Sequence, residues 1–300
     1  MDSGLNQQAA DNTAGSPEEN KARKYLAAAD EGNVDAQFML GACYALGVGV
    51  EKNLIEAMRW YGRAGENGVV KAQLNLAILL EKGDVGKPNP KEAAHWYQKA
   101  AEMGNATAQF NLGTCYAFGK GVEKKTGEAT DWFRRAADQG HMTAQFNLAI
   151  CYSKGIGILQ DQSEAIAWYT KAAEQGHAKA QYNLGICHAK GEGVEQSHFE
   201  AVRWYHMAAD QNDVMAQFNL GRCYTKGQGA LQDPYEAARW YTKSAELGFP
   251  KAQITLADCY YRGEGVDQSP QKAVLWCEKA ANLGNSAAVK RLGKYKTGQA

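Results

Sequence analysis

Seven cysteines are the most reactive side chains in this 300-residue sequence, and six of them recur at one regular spacing. The six are Cys43, Cys115, Cys151, Cys187, Cys223 and Cys259. Thiolates bind zinc when they come in close pairs such as C-x-x-C, and the sequence holds no such pair. Leu79 fills the same position in one further copy, which indicates an apolar packing site. We therefore expect buried free thiols, with neither a metal nor a cofactor.

Two short segments match motifs of acyl-transfer enzymes. Residues 269–272 read S-P-Q-K, which fits S-x-x-K, and residues 296–298 read K-T-G. The two lysines are only 24 positions apart, too close for the fold that such enzymes need. Ser269 is also placed to cap a helix. His141 and His177 lie in loops and do not have the spacing of metal ligands. The sequence therefore predicts that the chain is not an enzyme.

The strongest pattern in the sequence is an internal repeat. All seven tryptophans are 36 residues apart: Trp60, Trp96, Trp132, Trp168, Trp204, Trp240 and Trp276. Seven Ala-Gln pairs, from Ala36-Gln37 to Ala252-Gln253, keep the same spacing. A period of this length is typical of stacked repeat proteins, and it predicts that the tryptophans form a core.

Each repeat has the pattern of two helices. Helix A of the first copy is predicted from about Ala36 to Leu46, and Gly41 inside it indicates close approach of another helix. Helix B begins after a capping residue in six copies, with Lys125 as the exception, and a glycine follows its end in all but one copy. Asn212 replaces that glycine in the remaining copy.

Units such as AQFNLGTCYAFGKGV followed by EATDWFRRAADQG resemble the Sel-one-like repeat (SLR) family, which is related to the tetratricopeptide repeat. The resemblance implies an all-α fold, in which antiparallel helix pairs form a right-handed superhelix or α-solenoid. It implies an adaptor role in signalling, quality control or complex assembly. Some secreted members join two cysteines in each repeat, so a disulfide between Cys259 and Cys277 stays open. Some members are described as β-lactamase-like, which keeps that enzyme class as an alternative.

The candidate binding face lies on the A helices. Asparagines occupy one position in five consecutive repeats: Asn75, Asn111, Asn147, Asn183 and Asn219. Aromatic residues precede four of them: Phe110, Phe146, Tyr182 and Phe218. Basic residues follow two turns later, among them Lys154, Lys190, Lys226 and Arg262. In related arrays the asparagine position faces the concave groove, so we predict a surface that holds an extended peptide and favours carboxylates. The alternative is that the asparagines bond neighbouring helices and the lysines simply face solvent.

Charge and composition restrict the other possibilities. Thirty-three acidic residues balance 33 basic ones, which argues against general binding to nucleic acid or to anionic membranes. No apolar segment is long enough for membrane insertion. Met1–Gly15 is polar and lacks the pattern of a targeting peptide, so we expect a disordered tail at residues 1–15 and a cytoplasmic protein.

The predicted domain is a single α-solenoid over residues 16–298. It comprises a capping helix at 17–31, seven repeats at about 34–284 and a terminal half-repeat at 286–297. The predicted function is a non-catalytic scaffold for a protein or peptide partner, bound on the concave face. The sequence leaves open a structural assembly factor that acts through its convex surface. The oligomeric state is not predicted.

Overall fold

The computed structural model describes residues 16–297, which form sixteen α-helices. The predicted tail at 1–15 and Gly298 of the K-T-G motif lie outside the described residues. The helices fall into two compact units, divided after His141. The first unit contains α1 (Pro17–Asp30), α2 (Val34–Leu46), α3 (Leu54–Glu66), α4 (Val70–Lys82), α5 (Pro90–Glu102), α6 (Ala106–Phe118) and α7 (Thr126–Asp138). The second contains α8 (Met142–Lys154), α9 (Gln162–Glu174), α10 (Ala178–Lys190), α11 (His198–Asp210), α12 (Val214–Lys226), α13 (Pro234–Glu246), α14 (Pro250–Arg262), α15 (Pro270–Asn282) and α16 (Ser286–Thr297).

Within each unit, every helix packs against the helices that precede and follow it in the chain. Even-numbered helices are the A helices of the sequence pattern, and odd-numbered helices are the B helices. This arrangement of stacked helix pairs is that of an α-solenoid, so the predicted all-α class is confirmed. The prediction of one solenoid over residues 16–298 stays a prediction.

Helix ends follow the capping chemistry that the sequence predicts. Asn53, Asp161 and Asp233 accept hydrogen bonds from two backbone N–H groups each at the start of a B helix. Lys125 makes no such bond, as expected. The A helices begin earlier than predicted: α2 starts at Val34 because the Asn33 side chain accepts from the backbone of Ala36. Asn212 is the only residue other than glycine with a positive φ in the described chain.

The glycines inside the A helices make room for an aromatic ring of the same repeat. A Cβ atom at Gly41 would lie 2.7 Å from the Tyr61 ring, and one at Gly113 would lie 2.7 Å from Phe133. Both distances are shorter than carbon atoms tolerate, so a side chain here would displace the ring. The predicted close approach of the two helices is confirmed.

A second set of glycines allows a loop to pack against the main chain of the preceding repeat. Gly229 has a φ of +76°, and a Cβ atom there would overlap the carbonyl oxygen of His198 in the preceding B helix. Gly121 and Gly265 stand in the same relation to the carbonyls of Pro90 and Pro234. Glycine is required here both for its left-handed backbone and for its lack of a side chain.

Five of the seven tryptophans are buried, and the other two, Trp132 and Trp276, are half-buried. Basic side chains one turn further along lie over six of the indole rings. The cation-to-ring distances are 4.6 Å for Arg63, 4.5 Å for Lys99, 4.5 Å for Arg135, 3.8 Å for Lys171, 4.1 Å for Lys243 and 4.0 Å for Lys279. The tryptophans therefore form the predicted core, and each of these six also carries a cation–π contact that the sequence reading missed.

The glutamine of each Ala-Gln pair is buried and joins two successive helices. Its amide nitrogen donates to a carbonyl in the last turn of the preceding B helix, as Gln73 does to Gly65 at 2.8 Å and Gln181 does to Ala173 at 3.0 Å. In three repeats the amide oxygen accepts from a second glutamine thirty residues later. These pairs are Gln139–Gln109 at 2.7 Å, Gln175–Gln145 at 2.7 Å and Gln211–Gln181 at 2.8 Å.

Candidate functional site

The five asparagines of the predicted face are all half-buried on A helices. Asn75 lies beside the Tyr61 hydroxyl and Asn183 beside that of Tyr169, in each case on the preceding B helix. Burial raises the pKa of Tyr169 to about 12, and the Asn183 amide opposes that rise. Part of the asparagine's hydrogen-bonding capacity is thus directed to the fold, as the alternative interpretation expects, and the half-exposed remainder faces solvent.

The aromatic residues before the asparagines pack inside the array more than the sequence suggested. Phe146 contacts the Tyr169 ring at a centroid distance of 5.9 Å and stacks on His177 at 4.4 Å. Phe110 makes the same contacts with Phe133 at 5.9 Å and His141 at 4.8 Å. Each ring is half-buried, so one part supports the core while another part stays accessible.

The two stacked histidines follow the ends of B helices, as the sequence predicts, and one of them, His177, also caps a helix. Its Nδ1 accepts a hydrogen bond from the backbone N–H of Ala180 at 3.2 Å, so it is the N-terminal cap of α10. Burial lowers the pKa of both His141 and His177, which favours the neutral ring that such a cap requires. Asn33 and Asn105 perform the same capping task in other repeats.

The predicted basic residues are the last residues of their helices and are exposed. Lys190 forms an ion pair with Glu192 at 3.1 Å, and Arg262 forms one with Glu264 at 3.5 Å. Both pairs face solvent and contribute little to stability. Lys154 and Lys226 are exposed as well. These positions can therefore exchange a solvent-facing contact for a ligand at low cost.

Four of the predicted residues meet in one groove of about 420 Å³ in the second unit, between α10, α12 and the start of α14. They are Tyr182, Lys190, Phe218 and Asn219. The other candidate residues do not line this groove, although Asn183 lies on α10 and Lys226 on α12. Arg262 lines a separate cavity of about 660 Å³ with Asp258 and Glu264.

The groove also contains two basic residues that the sequence reading missed, Arg222 and Lys251. Arg222 stands where the A helices of the other six full repeats have Ala42, Ile78, Thr114, Ile150, Ile186 or Asp258. This departure from the repeat pattern was a signal available in the sequence, because an unusual charge at a repeated position does not serve the common fold.

The cysteines do not form a reactive site. All seven are free thiols, and burial raises the pKa of Cys115, Cys187 and Cys259 to about 11 each. A protonated thiol is a poor nucleophile and a poor metal ligand. Cys277 donates to the carbonyl of Ala288 at 3.0 Å instead of pairing with Cys259. Between residues 16 and 297, no group of three or more potential ligands is arranged to hold a metal ion.

Ser269 is a helix cap in the structure. Its hydroxyl oxygen accepts from the backbone N–H of Lys272 at 3.3 Å, and the Lys272 ammonium lies 5.1 Å from the centre of the Tyr260 ring. These contacts account for the serine and lysine of the S-x-x-K match without a nucleophile.

The sequence profile of the Sel1 repeat matches seven successive segments, at residues 34–69, 70–105, 106–141, 143–177, 178–213, 214–249 and 250–285. The chain belongs to the Sel1 repeat family. Proteins of this family generally act as scaffolds for protein interactions, and the resemblance inferred from the sequence is confirmed.

Two crystal structures resemble this Sel1 repeat protein over most of its length. One is c5321, a protective antigen present in uropathogenic Escherichia coli strains, with 34% identity and a TM-score of 0.88 over 93% of this chain. The chain spans 60% of the length of that structure. The other is a Sel1 repeat protein from Oxalobacter formigenes, with 33% identity and a TM-score of 0.78, covering 95% of this chain and 82% of that one. No curated protein matches the sequence significantly. None of the described helices is long and apolar enough to cross a membrane.

Proposed function

We propose that this protein is a non-catalytic adaptor that binds an extended peptide segment of a partner protein on the surface of its A helices. The observation that carries the proposal is the groove in the second unit. There an asparagine of the ladder, four aromatic rings and basic side chains line one cavity, with Asn219, Phe218 and Arg222 among them. Amides can pair with a peptide backbone, while rings and cations select its side chains.

The test is binding of a partner recovered by affinity purification to a variant with Asn147, Asn183 and Asn219 changed to alanine. We expect at least about a tenfold loss of affinity, since each amide lost from a binding surface is worth about 0.5–1.5 kcal/mol. The matched control carries Gln98→Ala, Gln271→Ala and Asn282→Ala, which removes three exposed amides from B helices. Helical content and melting temperature must be preserved. Equal affinity of both variants would contradict the proposal.

The assembly-factor alternative places the contact on the B helices instead. Arg59, Arg203 and Arg239 occupy one repeated position there and are exposed by 56%, 56% and 63% of their side-chain surface. Changing all three to glutamate would abolish partner binding under the alternative, but leave it unchanged under our proposal. The two sets of variants therefore separate the surfaces.

The absence of catalysis is also a proposal, and a nitrocefin assay tests it. We expect no hydrolysis above buffer, because the Ser269 hydroxyl is a helix cap. Turnover that disappears in Ser269→Ala would contradict this.

The free thiols support a cytoplasmic location, because reducing compartments preserve them. Cell fractionation with an antibody against the chain tests the location.

A further inference from the structure

The groove in the second unit differs from the other described cavities in its charge. Its lining includes three basic side chains from three successive A helices, Lys190, Arg222 and Lys251, and no aspartate or glutamate is among its described lining residues. The 660 Å³ cavity balances Arg262 with Asp258 and Glu264. A third cavity of about 310 Å³, in the first unit, has both Lys21 and Glu18 in an otherwise mostly apolar lining.

The nearby acidic groups are already engaged. Glu192 pairs with Lys190 at 3.1 Å, on a side chain that is half exposed. Asp213 is the cap of α12, and its Oδ1 accepts from the backbone of Met215 at 3.1 Å and Ala216 at 2.9 Å. The positive charge of Arg222 and Lys251 is therefore not neutralised by an ion pair with the described residues that line the groove, and the charge of the groove favours an anion.

The floor of the groove is apolar. Phe218 and Phe249 meet edge to face with a centroid distance of 5.4 Å, and Met215 beside them is 45% exposed. Exposed apolar surface beside convergent cations fits a ligand that carries a carboxylate and an apolar side chain close together. A ligand with phosphate alone would leave this floor uncovered.

We infer that the groove lined by Lys190, Arg222, Lys251, Phe218 and Phe249 selects an acidic peptide, in which aspartate or glutamate adjoins an aromatic or aliphatic residue. This rests on the proposed function and names the partner's chemistry. Arg222 can hold a carboxylate through two parallel N–H groups, while Lys251 and Lys190 act as point charges beside it. The apolar residue then covers Phe218 and Phe249.

The experiment selects a random peptide library displayed on phage against the full chain. A selected peptide is then synthesised together with its amide counterpart, in which Asp and Glu become Asn and Gln. We expect selected sequences to be rich in acidic residues next to apolar ones. We also expect the amide counterpart to bind at least about tenfold more weakly by fluorescence anisotropy, with a further loss at high salt.

Two double variants test whether the groove is the site that binds the acidic peptide. The double variant Arg222→Thr with Lys251→Thr introduces the residues that other repeats carry at these positions, Thr114 and Thr143. It should lower the affinity for the acidic peptide about tenfold or more. The matched control, Lys71→Thr with Arg239→Thr, removes two positive charges elsewhere and should bind as the parent does. Lys71 holds the same repeat position as Lys251 in the first unit.

The outcomes separate the two proposals. Selected peptides without an acidic excess, which still lose affinity in the groove variant, overturn the acidic selectivity and leave peptide binding in the groove standing. Displacement of the acidic peptide by an equally charged single-stranded oligonucleotide, at equal concentration, also overturns it. If no selected peptide is weakened by the groove variant or the asparagine variant, the proposed function fails as well.

Discussion

A histidine caps a helix only while its ring is neutral, and His177 depends on that state. Its Nδ1 accepts the Ala180 N–H, and burial lowers its pKa. A pKa lower in the folded than in the unfolded chain means that the unfolded chain binds the proton more readily. The contribution of His177 to stability is therefore complete above the unfolded pKa of about 6.5 and is lost as the pH falls below it.

His177→Asn should reduce the dependence of stability on pH in this range. Asparagine provides the same cap in Asn33 and Asn105 and does not titrate. Urea unfolding at pH values above and below the unfolded pKa should show a smaller loss on acidification than in the parent. His95→Asn removes an exposed histidine as a control. An unchanged pH dependence in His177→Asn would show that the cap is not coupled to the proton.

The pairing of buried glutamines is incomplete, because some repeats lack the second glutamine. The buried Oε1 of Gln217 has no hydrogen-bond partner among the described residues, and Leu247, 52% exposed, occupies the position of the missing donor. Leu247→Gln should raise the free energy of unfolding by about 1 kcal/mol, the usual value of one hydrogen bond. Leu247→Met is the control, since it keeps the size without the donor. Equal stability of the two variants in urea would contradict the prediction.

At the scale of the element, the loop glycines differ in what a side chain would meet. Gly229 and Gly248 both have positive φ, at +76° and +87°. A Cβ atom at Gly248 has open space, whereas one at Gly229 would overlap the His198 carbonyl. We expect Gly248→Ala to cost about 1–2 kcal/mol for the backbone alone. Gly229→Ala should cost at least about 2 kcal/mol more, because two backbones must separate. Similar losses of stability in the two variants, measured by thermal unfolding, would contradict the close packing of the Gly229 loop against His198.

Features that are local in sequence could be predicted from it, and those that depend on neighbouring repeats could not. Asn53 and Asp233 are recognisable caps because the bond they accept is two or three residues away. Gly41 signals a close contact because glycine costs a helix stability. The bond from Gln211 to Gln181 spans thirty residues, and its partner is fixed only by how two repeats pack.

The candidate site shows the same limit. The asparagine ladder was visible as a repeated residue, but its partial use by Tyr61 and Tyr169 was not. Arginine occurs only once at the repeat position of Arg222, so repetition in the sequence does not reveal it. In a repeat protein, the residues that recur determine the fold, and the residues that depart from the repeat determine binding specificity.

At the scale of the whole molecule, packing between chain neighbours predicts that damage stays local. Trp240 is buried, and its replacement by alanine should cost about 3–5 kcal/mol. Hydrogen exchange followed by mass spectrometry should then rise in α12–α15 and stay unchanged in α2–α5, because solenoid stability is a sum of nearest-neighbour terms. Phe199→Ala, at a residue 68% exposed, is the control. A uniform rise throughout residues 16–297 would show global cooperativity instead.

The loop glycines at 121, 229 and 265 make one contact between repeats independent of side-chain identity. Each meets main-chain atoms of the repeat before it, and every amino acid supplies the same main-chain carbonyl. At this contact, the repeats are therefore interchangeable. A gene segment encoding one repeat can be duplicated, lost or reordered in evolution without a compensating mutation there. Sel1 arrays can thus change in length and acquire new surfaces while the same joint is reused.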